Sequence, residues 1–260
     1  NSDKDKAGYV DLMYKWDLGG GSVLDFSVGG MYRDKKRDSF FNEYTFDSAT
    51  GSKDPQYQGT DWNNYDELLF AARKYGNISD PLNYDATEKI GAGYGMVKYT
   101  YGRWELIGGV RVEHTNQGYT LKFPTESADP KGNQKYTDVL PSFHAKYGVH
   151  ENANLRLSYA RSINRPSFFE IVPYSIINED YKEKGNPDLK HTVADNVDFR
   201  YEFFPKSSEQ FMIGAFYKYL KDPIEYGLLN EGQDTYYKPM NFGNATNLGL
   251  EVDIMKYFNW

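Results

Sequence analysis

Apolar and polar residues alternate along most of this chain with the period of an extended strand. From Ala153 to Ser162, Leu155, Leu157 and Tyr159 fall on one side, and Asn154, Arg156, Ser158 and Ser162 on the other. In the next such segment Val193, Val197, Phe199, Tyr201 and Phe203 oppose Asn196, Asp198, Arg200 and Glu202. Extending the pattern over the chain predicts nine extended segments. They are Ala7–Leu18, Ser22 to at least Arg33 (with extension towards Phe46), Thr87–Tyr101, Arg103–Phe123, Tyr136–Val149, Ala153–Ile163, Thr192–Phe204, Ser208–Gly227 and Thr235–Phe258. The third segment has no assignable faces, because Gly91, Gly93 and Gly95 interrupt it. In the last segment the register breaks at Gly243-Asn244, which predicts a β-bulge.

The connections sort by length. Short turns follow Leu18, Tyr101, Val149 and Phe204, whereas long or irregular ones follow Phe46, Phe123, Ile163 and Gly227. The two longest are Asp47–Asp85 and Asn164–His191, the second carrying the turn sequence Gly185-Asn186-Pro187. The segments run to about 10–20 residues, whereas strands of soluble proteins cluster near 5–6 and about 9–11 tilted residues cross a bilayer. Short turns at one end and long loops at the other are the habit of outer-membrane barrels, which turn their apolar face to lipid. A soluble sandwich would turn that face inward. The fold class expected is therefore all-β, an antiparallel transmembrane β-barrel. An odd strand count does not fit a closed single-chain bacterial barrel, so residues 1–260 are expected to be about nine strands of a larger one, an open sheet with two free edges.

Composition sharpens this picture. Aromatics make up 17% of the 260 residues, with 24 Tyr against 16 Phe. Tyrosine suits a membrane–water boundary, where its ring is dry and its hydroxyl wet. No apolar run is long enough for a transmembrane helix. The absence of cysteine removes disulfides, thiolate metal sites and cysteine nucleophiles. A net charge of −7 argues against nucleic acid as a partner. The chain opens at Asn1 without a charged or apolar leader, as after signal-peptide removal or in a fragment.

Candidate chemistry is sparse. His114, His144, His150 and His191 sit in four separate places and form no ligand-spaced pair in sequence. No nucleophile elbow, phosphate loop or catalytic carboxylate pair is present, so neither an enzyme nor a cofactor is expected. Asp61, Asn63, Asp66 and Glu67 are dense in oxygen ligands but lack EF-hand spacing, leaving a weak calcium candidate beside a solvated acidic loop. Trp62 and Tyr65 in that loop, with Arg165, Phe168, Phe169, Tyr174 and Tyr181 from the other long loop, are the candidate ligand-binding residues. Aromatic faces with scattered charge suit a planar or sugar-like ligand, and equally suit loops packed on one another. Arg161 and Arg165 flank the exit of the sixth segment. They read either as ligand or lipopolysaccharide-phosphate contacts at the outer rim, or as arginines that hold the turn beside Pro166 through backbone carbonyls. Arg111, Glu113, Arg156, Arg200, Glu202, Glu251 and Asp253 are expected to form a lumen-facing charge network.

Several stretches together carry a family resemblance. YTDVLPSFHAKYGVHENANLRLSYARSINRPSFFEIVPY, a Pro-containing strand, a short turn and a strand ending in R-P-x-F, is followed by GNPDL at Gly185–Leu189 and by YEFFP at Tyr201–Pro205. FYKYLKDPIEY at Phe216–Tyr226 and then NFGNATNLGLEVDI complete the order. In that order they resemble the barrel of TonB-dependent outer-membrane receptors, especially the Bacteroidetes type. The resemblance covers most of the chain and is densest over Thr87–Trp260. It implies a barrel of about 22 strands, an N-terminal plug and a TonB box, neither of which is in this sequence. It further implies energised uptake of a siderophore, cobalamin or glycan, with TonB as partner through the absent N-terminal part, contact with outer-membrane lipid and lipopolysaccharide, and a ligand taken up with a surface lipoprotein. A passive or adhesive barrel and a soluble glycan-binding module remain the alternative readings.

Overall fold

The computed structural model describes residues 1–41, 46–48, 70–72, 82–124, 129–177, 181–231 and 234–258. Nine long strands form one antiparallel sheet: β1 (Ser2–Gly19), β2 (Ser22–Ser39), β5 (Tyr84–Tyr101), β6 (Trp104–Leu121), β7 (Lys131–His150), β8 (Ala153–Asn164), β11 (Thr192–Lys206), β12 (Glu209–Lys221) and β15 (Asn244–Met255). Each pairs with its predecessor in that list, so the sheet is an up-and-down meander with β1 and β15 at its edges. Short β3 (Phe46–Ser48) and β4 (Phe70–Ala72) pair with each other. A second sheet has the order β13 (Ile224–Glu231), β14 (Asp234–Asn241), β10 (Lys182–Lys184) and β9 (Ser175–Ile177). One turn of helix, α1 (Phe168–Ile171), precedes β9.

The nine predicted wall strands are all present, and the loop lengths sort as expected. Gly20, Gly21 and Gly102 close two of the short turns at positive φ, conformations that cost glycine nothing. Boundaries differ where the chain leaves the wall. β2 ends at Ser39, and the expected extension to Phe46 runs through residues 42–45, which lie outside the described ones. The expected eighth strand, Ser208–Gly227, is two strands, because β12 stops at Lys221 and β13 belongs to the other sheet. The expected ninth, Thr235–Phe258, divides likewise into β14 and β15. Gly243 is therefore a corner between two sheets and not a bulge. Its φ is +45, and Asp222 across from it has φ +53. The break in alternation at Gly243-Asn244 marks the second corner but does not distinguish a corner from a bulge, so periodicity alone could not reveal the change of sheet.

The two faces of the wall differ as the alternation implies. Val110 is 44% exposed and Leu250 79%, while inward Thr115 and Gln117 on β6 are 0% and 1% exposed. Outward positions form an apolar band from Leu24 to Tyr32 on β2 and from Leu248 to Ile254 on β15. The span from Leu24 to Tyr32, about nine residues at barrel tilt, matches the apolar height of an outer-membrane barrel. Aromatic rings gather at the short-turn end, where Trp104 and Tyr147 lie 4.6 Å apart and Tyr99 stacks near Tyr101. Register also settles the faces of β5. Gly91, Gly93 and Gly95 point outward beside Tyr32, Gly30 and Val28, whereas Ile90, Ala92, Tyr94 and Met96 point inward. Tyr94 reaches over Gly29 of β2 and donates to Asp11 Oδ1 of β1 at 2.7 Å. A side chain at Gly29 would collide with both partners.

Candidate functional site

The segments between β8 and β11 and between β12 and β15 fold into a cap on the inward face at the long-loop end. Its foundation is the Arg165-Pro166-Ser167-Phe168 sequence. Arg165 bonds Glu113 Oε2 and donates to Thr115 Oγ1 at 3.1 Å, both on β6. Gln117 Nε2 donates to Pro166 O at 2.8 Å. Ser167 then caps α1 in a reciprocal capping box with Glu170. Phe168 and Ile171 pack with Tyr84, Ala86, Tyr119, Leu121, Val172 and Leu189 in the one hydrophobic cluster of the described residues. The cationic groups of Lys35 and Arg37 lie over the Phe168 ring at 5.4 and 5.6 Å.

Three of the other quoted motifs meet at the same place, whereas YEFFP lies at the short-turn end, where Phe204 N donates to Asn152 O at 2.8 Å. Gly185 lies so close to Val172 O that a side-chain carbon there would fall 1.7 Å from it, so only glycine fits. Asn186 N donates to Glu170 O at 2.6 Å, and its amide reaches Pro239 O at 2.9 Å. Gln134 Nε2 of β7 donates to both Pro187 O and Leu189 O at 2.8 Å. Asn241 holds the far side, accepting from Lys190 N and donating to Lys190 O and Asp222 O. R-P-x-F, G-N-P-D-L, D-P-I and N-F-G are thus the pegs of a single inward fold.

Below and beside the cap, the inward wall is polar and paired. Arg111 joins Arg165 on Glu113, with Arg111 Nε 2.5 Å from Glu113 Oε1. Arg156 pairs with Glu202 at 2.8 Å, Lys98 with Glu105 at 2.9 Å and Arg200 with Glu251 at 3.8 Å. Asp253 accepts from Gln210 at 2.8 Å. The expected inward charge network is present as these separate pairs. A cavity of about 210 Å³ opens between wall and cap, lined by Lys35, Arg37, Glu88, Gln117, Arg165 and Phe168.

The predicted ligand residues divide. Trp62 and Tyr65, and the calcium candidates Asp61, Asn63, Asp66 and Glu67, lie outside the described residues. Arg165 lies in the cap's foundation beside the cavity, and Phe168 is buried in the cluster. Tyr174 is 1% exposed, donates to Glu183 Oε1 at 2.7 Å and packs on Phe169, with ring centroids 4.2 Å apart. Burial first, and the Glu183 carboxylate second, hold the Tyr174 phenol well above its ordinary range. Tyr181 is half exposed and meets Tyr237 edge-on at 5.5 Å. That contact exposes what the sequence reading missed: a tyrosine cluster in which Tyr226 stacks on Tyr237 at 4.9 Å, with Lys184 3.4 Å over the Tyr236 ring. The expected eighth and ninth segments place Tyr226, Tyr236 and Tyr237 on wall strands, so their convergence is invisible in the sequence.

Two other assignments change. Arg161 and Arg165 do not hold backbone carbonyls beside Pro166. Arg161 faces outward and pairs with Asp195 at 2.9 Å, while Tyr159 donates to the same carboxylate at 2.7 Å. His191, separate from any partner in sequence, lies 2.8 Å from Asp138 and stacks on Tyr136 at 4.0 Å, fixing the cap's return to the wall. Among the described residues no group of His, Cys, Asp or Glu is placed to hold a metal ion.

An exposed apolar face backed by a paired polar face is the arrangement of a lipid-embedded wall. Residues 1–260 match the outer membrane protein beta-barrel family along their whole length. The chain belongs to that family. This outer membrane beta-barrel protein matches no curated protein. Among solved structures it is similar to the Serratia marcescens hemophore receptor HasR, whose complex holds the hemophore HasA and heme, with TM-score 0.67 and 11% identity over 97% of this chain and 39% of that one. It is similar to the ferric citrate transporter FecA, with TM-score 0.63 and 13% identity over 96% of this chain and 31% of that one. The ferric-catecholate import receptor Fiu of E. coli K12 gives TM-score 0.62 and 13% identity over 97% of this chain and 35% of that one. The outer membrane beta-barrel protein thus spans between 31% and 39% of the length of these three structures.

Proposed function

We propose that residues 1–260 are part of the wall of a TonB-dependent uptake receptor of the Bacteroidetes type, lying beside a plug encoded elsewhere in the protein. The receptor captures a scarce nutrient outside the cell and admits it when TonB, drawing on the inner-membrane proton gradient, displaces the plug. Such work is mechanical, so the wall supplies binding, orientation and insulation from lipid and no bond chemistry. The observation that carries the reading is the inward-folded cap over a polar, charge-paired wall. A passive pore has no need of four sequence motifs that hold a loop against its lumen. The heme, ferric citrate and catecholate cargoes named for the similar structures support a compact, chelated or planar ligand. Arg165, Lys35 and Arg37 beside the cavity, and the Tyr181, Tyr226 and Tyr237 rings of the cap, would meet an anionic, planar cargo. The 47–85 loop, with Trp62 and Tyr65, would complete the vestibule. Outer-leaflet lipid and lipopolysaccharide surround the wall, and a surface lipoprotein is the partner expected to present cargo.

The test uses cells that carry the full-length protein and a strain lacking TonB. Uptake of heme, ferric citrate, cobalamin and oligosaccharides is measured with and without residues 49–69, which carry Trp62 and Tyr65 and leave β5, from Tyr84 onward, whole. Uptake of one cargo that vanishes in both the TonB-deficient strain and the loop deletion, with membrane insertion intact, is the expected result. Uptake that persists without TonB establishes the passive reading instead.

A further inference from the structure

Pairing between β7 and β8 stops early. It begins with His150 opposite Ala153 and ends with Ser142 opposite Ala160. From there β7 continues to Lys131, held on its other side by β6 as far as Thr120. β8 stays with β11 instead, up to Asn164 opposite Thr192, and then turns into the cap. Residues 131–141 are therefore paired along one edge. The cap passes their inward face but meets it through side chains, Gln134 on Pro187 and Leu189, and Asp138 on His191. Along the other edge, alternate N–H and C=O groups have no strand to bond among the described residues. Pro141 stands where the pairing ends and brings no N–H to leave unmet. A cavity of about 410 Å³ opens beside this edge. Gln134, Lys135 and Tyr136 line it in succession, so it meets the strand from the side and not from either face. Its other walls are the cap at residues 188–191 and the tops of β11 and β12 at Val193 and Lys221. The place of a next strand, about 4.8 Å from β7, opens into this cavity.

Height and charge select the occupant. The outward residues here, Lys131, Asn133, Lys135 and Thr137, are polar and exposed, and apolar ones begin at Val139. The edge beside residues 131–137 thus stands above the lipid, where water can satisfy backbone groups until a partner replaces it. Lys135, Lys190 of the cap and Lys221 of β12 surround the cavity, and Lys131 lies further along the same edge. None of the four has a carboxylate partner among the described residues, and against them stand Asp188 and Asp222. The rim is net positive on a chain whose net charge is −7. Lysines on an edge repel an identical edge, so a second copy of this chain is the wrong occupant. We infer that the free edge of β7 is a docking site for an extended, acidic segment of a partner polypeptide, which adds as a strand beside residues 131–137. Backbone bonds hold the segment, and its carboxylates meet the lysines. This inference rests on the membrane orientation proposed above.

Full-length protein in detergent is titrated with a synthetic peptide in which Glu alternates with Thr. Two further peptides are a copy with Lys in place of Glu and a copy with methylated backbone nitrogens, which keeps the charge but cannot donate to a strand. The expected result is binding of the acidic peptide about tenfold or more tighter than of either copy. Hydrogen exchange of the amides in residues 131–137 slows when it binds. Lys131→Glu with Lys135→Glu reverses the preference towards the Lys peptide. Should that variant fail to fold, the three peptides on the wild type and the exchange map decide. Equal affinity for the methylated copy overturns the inference, because charge then attracts without strand addition. Protection confined to β1 or β15 overturns it, as does the absence of binding, which means that the edge is already filled in the whole protein. A cysteine placed at Asn133 tests orientation separately, because its failure to label from outside intact cells refutes the orientation and leaves the titration in detergent untouched.

Discussion

Arg165 shows what one residue of the R-P-x-F motif does. It shares Glu113 with Arg111, and the Glu113 side chain is only 11% exposed. Arg165→Ala leaves that carboxylate a single partner and frees Thr115, so destabilisation of about 1–3 kcal/mol is expected. Urea unfolding in lipid would measure it, and Arg165→Lys should recover only part, because an ammonium cannot fork between two acceptors. Tyr174 offers a pH test. Its folded-state pKa is raised above the ordinary 10.0, by burial first and by Glu183 second. The phenol's contribution is therefore complete below about pH 10 and is lost only as pH rises through the folded value. Protease sensitivity of residues 165–191 should increase in strongly alkaline buffer, and Tyr174→Phe, which cannot ionise, should lessen that increase. A pH-independent cleavage rate would contradict this.

At the scale of elements, each wall strand has one face for lipid and one for the lumen. Leu157→Arg, on the outward face, should cost about 2–4 kcal/mol if it lies near the bilayer midplane. Ser158→Arg, one residue further and inward, should cost much less. Equal losses would mean that the faces had been misjudged. This division was legible from the alternation in β6, β8 and β11, because half-buried strands must keep a strict period of two. It was illegible in β5, where the outward positions are the glycines at 91, 93 and 95 and carry no hydropathy signal. The change of sheet after Lys221 was hidden for a different reason, since the break in alternation at Gly243-Asn244 fits a bulge as well as a corner and nothing in the pattern tells the two apart. The cap was readable only as a set of motifs, because its contacts join residues about 50 positions apart, such as Arg165 with Thr115.

For the whole molecule, the sheet ends in β1 and β15, and their outer edges have no partner among the described residues. Unpaired edges of 18 and 12 residues invite strand addition. Residues 1–260 expressed alone should therefore form higher oligomers in detergent, as read by light scattering, while the full-length protein stays monodisperse. A monodisperse fragment would show that these strands seal their own edges.

The base of the β13–β14 hairpin bears on how such a protein changes over time. Asp222 N donates to Gly243 O at 2.7 Å, Phe242 N to Pro223 O at 3.0 Å, and Asn241 clamps Asp222 and Lys190 from the side. These bonds close the hairpin where it leaves the wall, so strain introduced at its tip ends there. The hairpin can then act as an exchangeable cassette. Its length and surface can drift under pressure from phage, antibody or a new cargo, while β12 and β15 keep their register and the barrel goes on inserting.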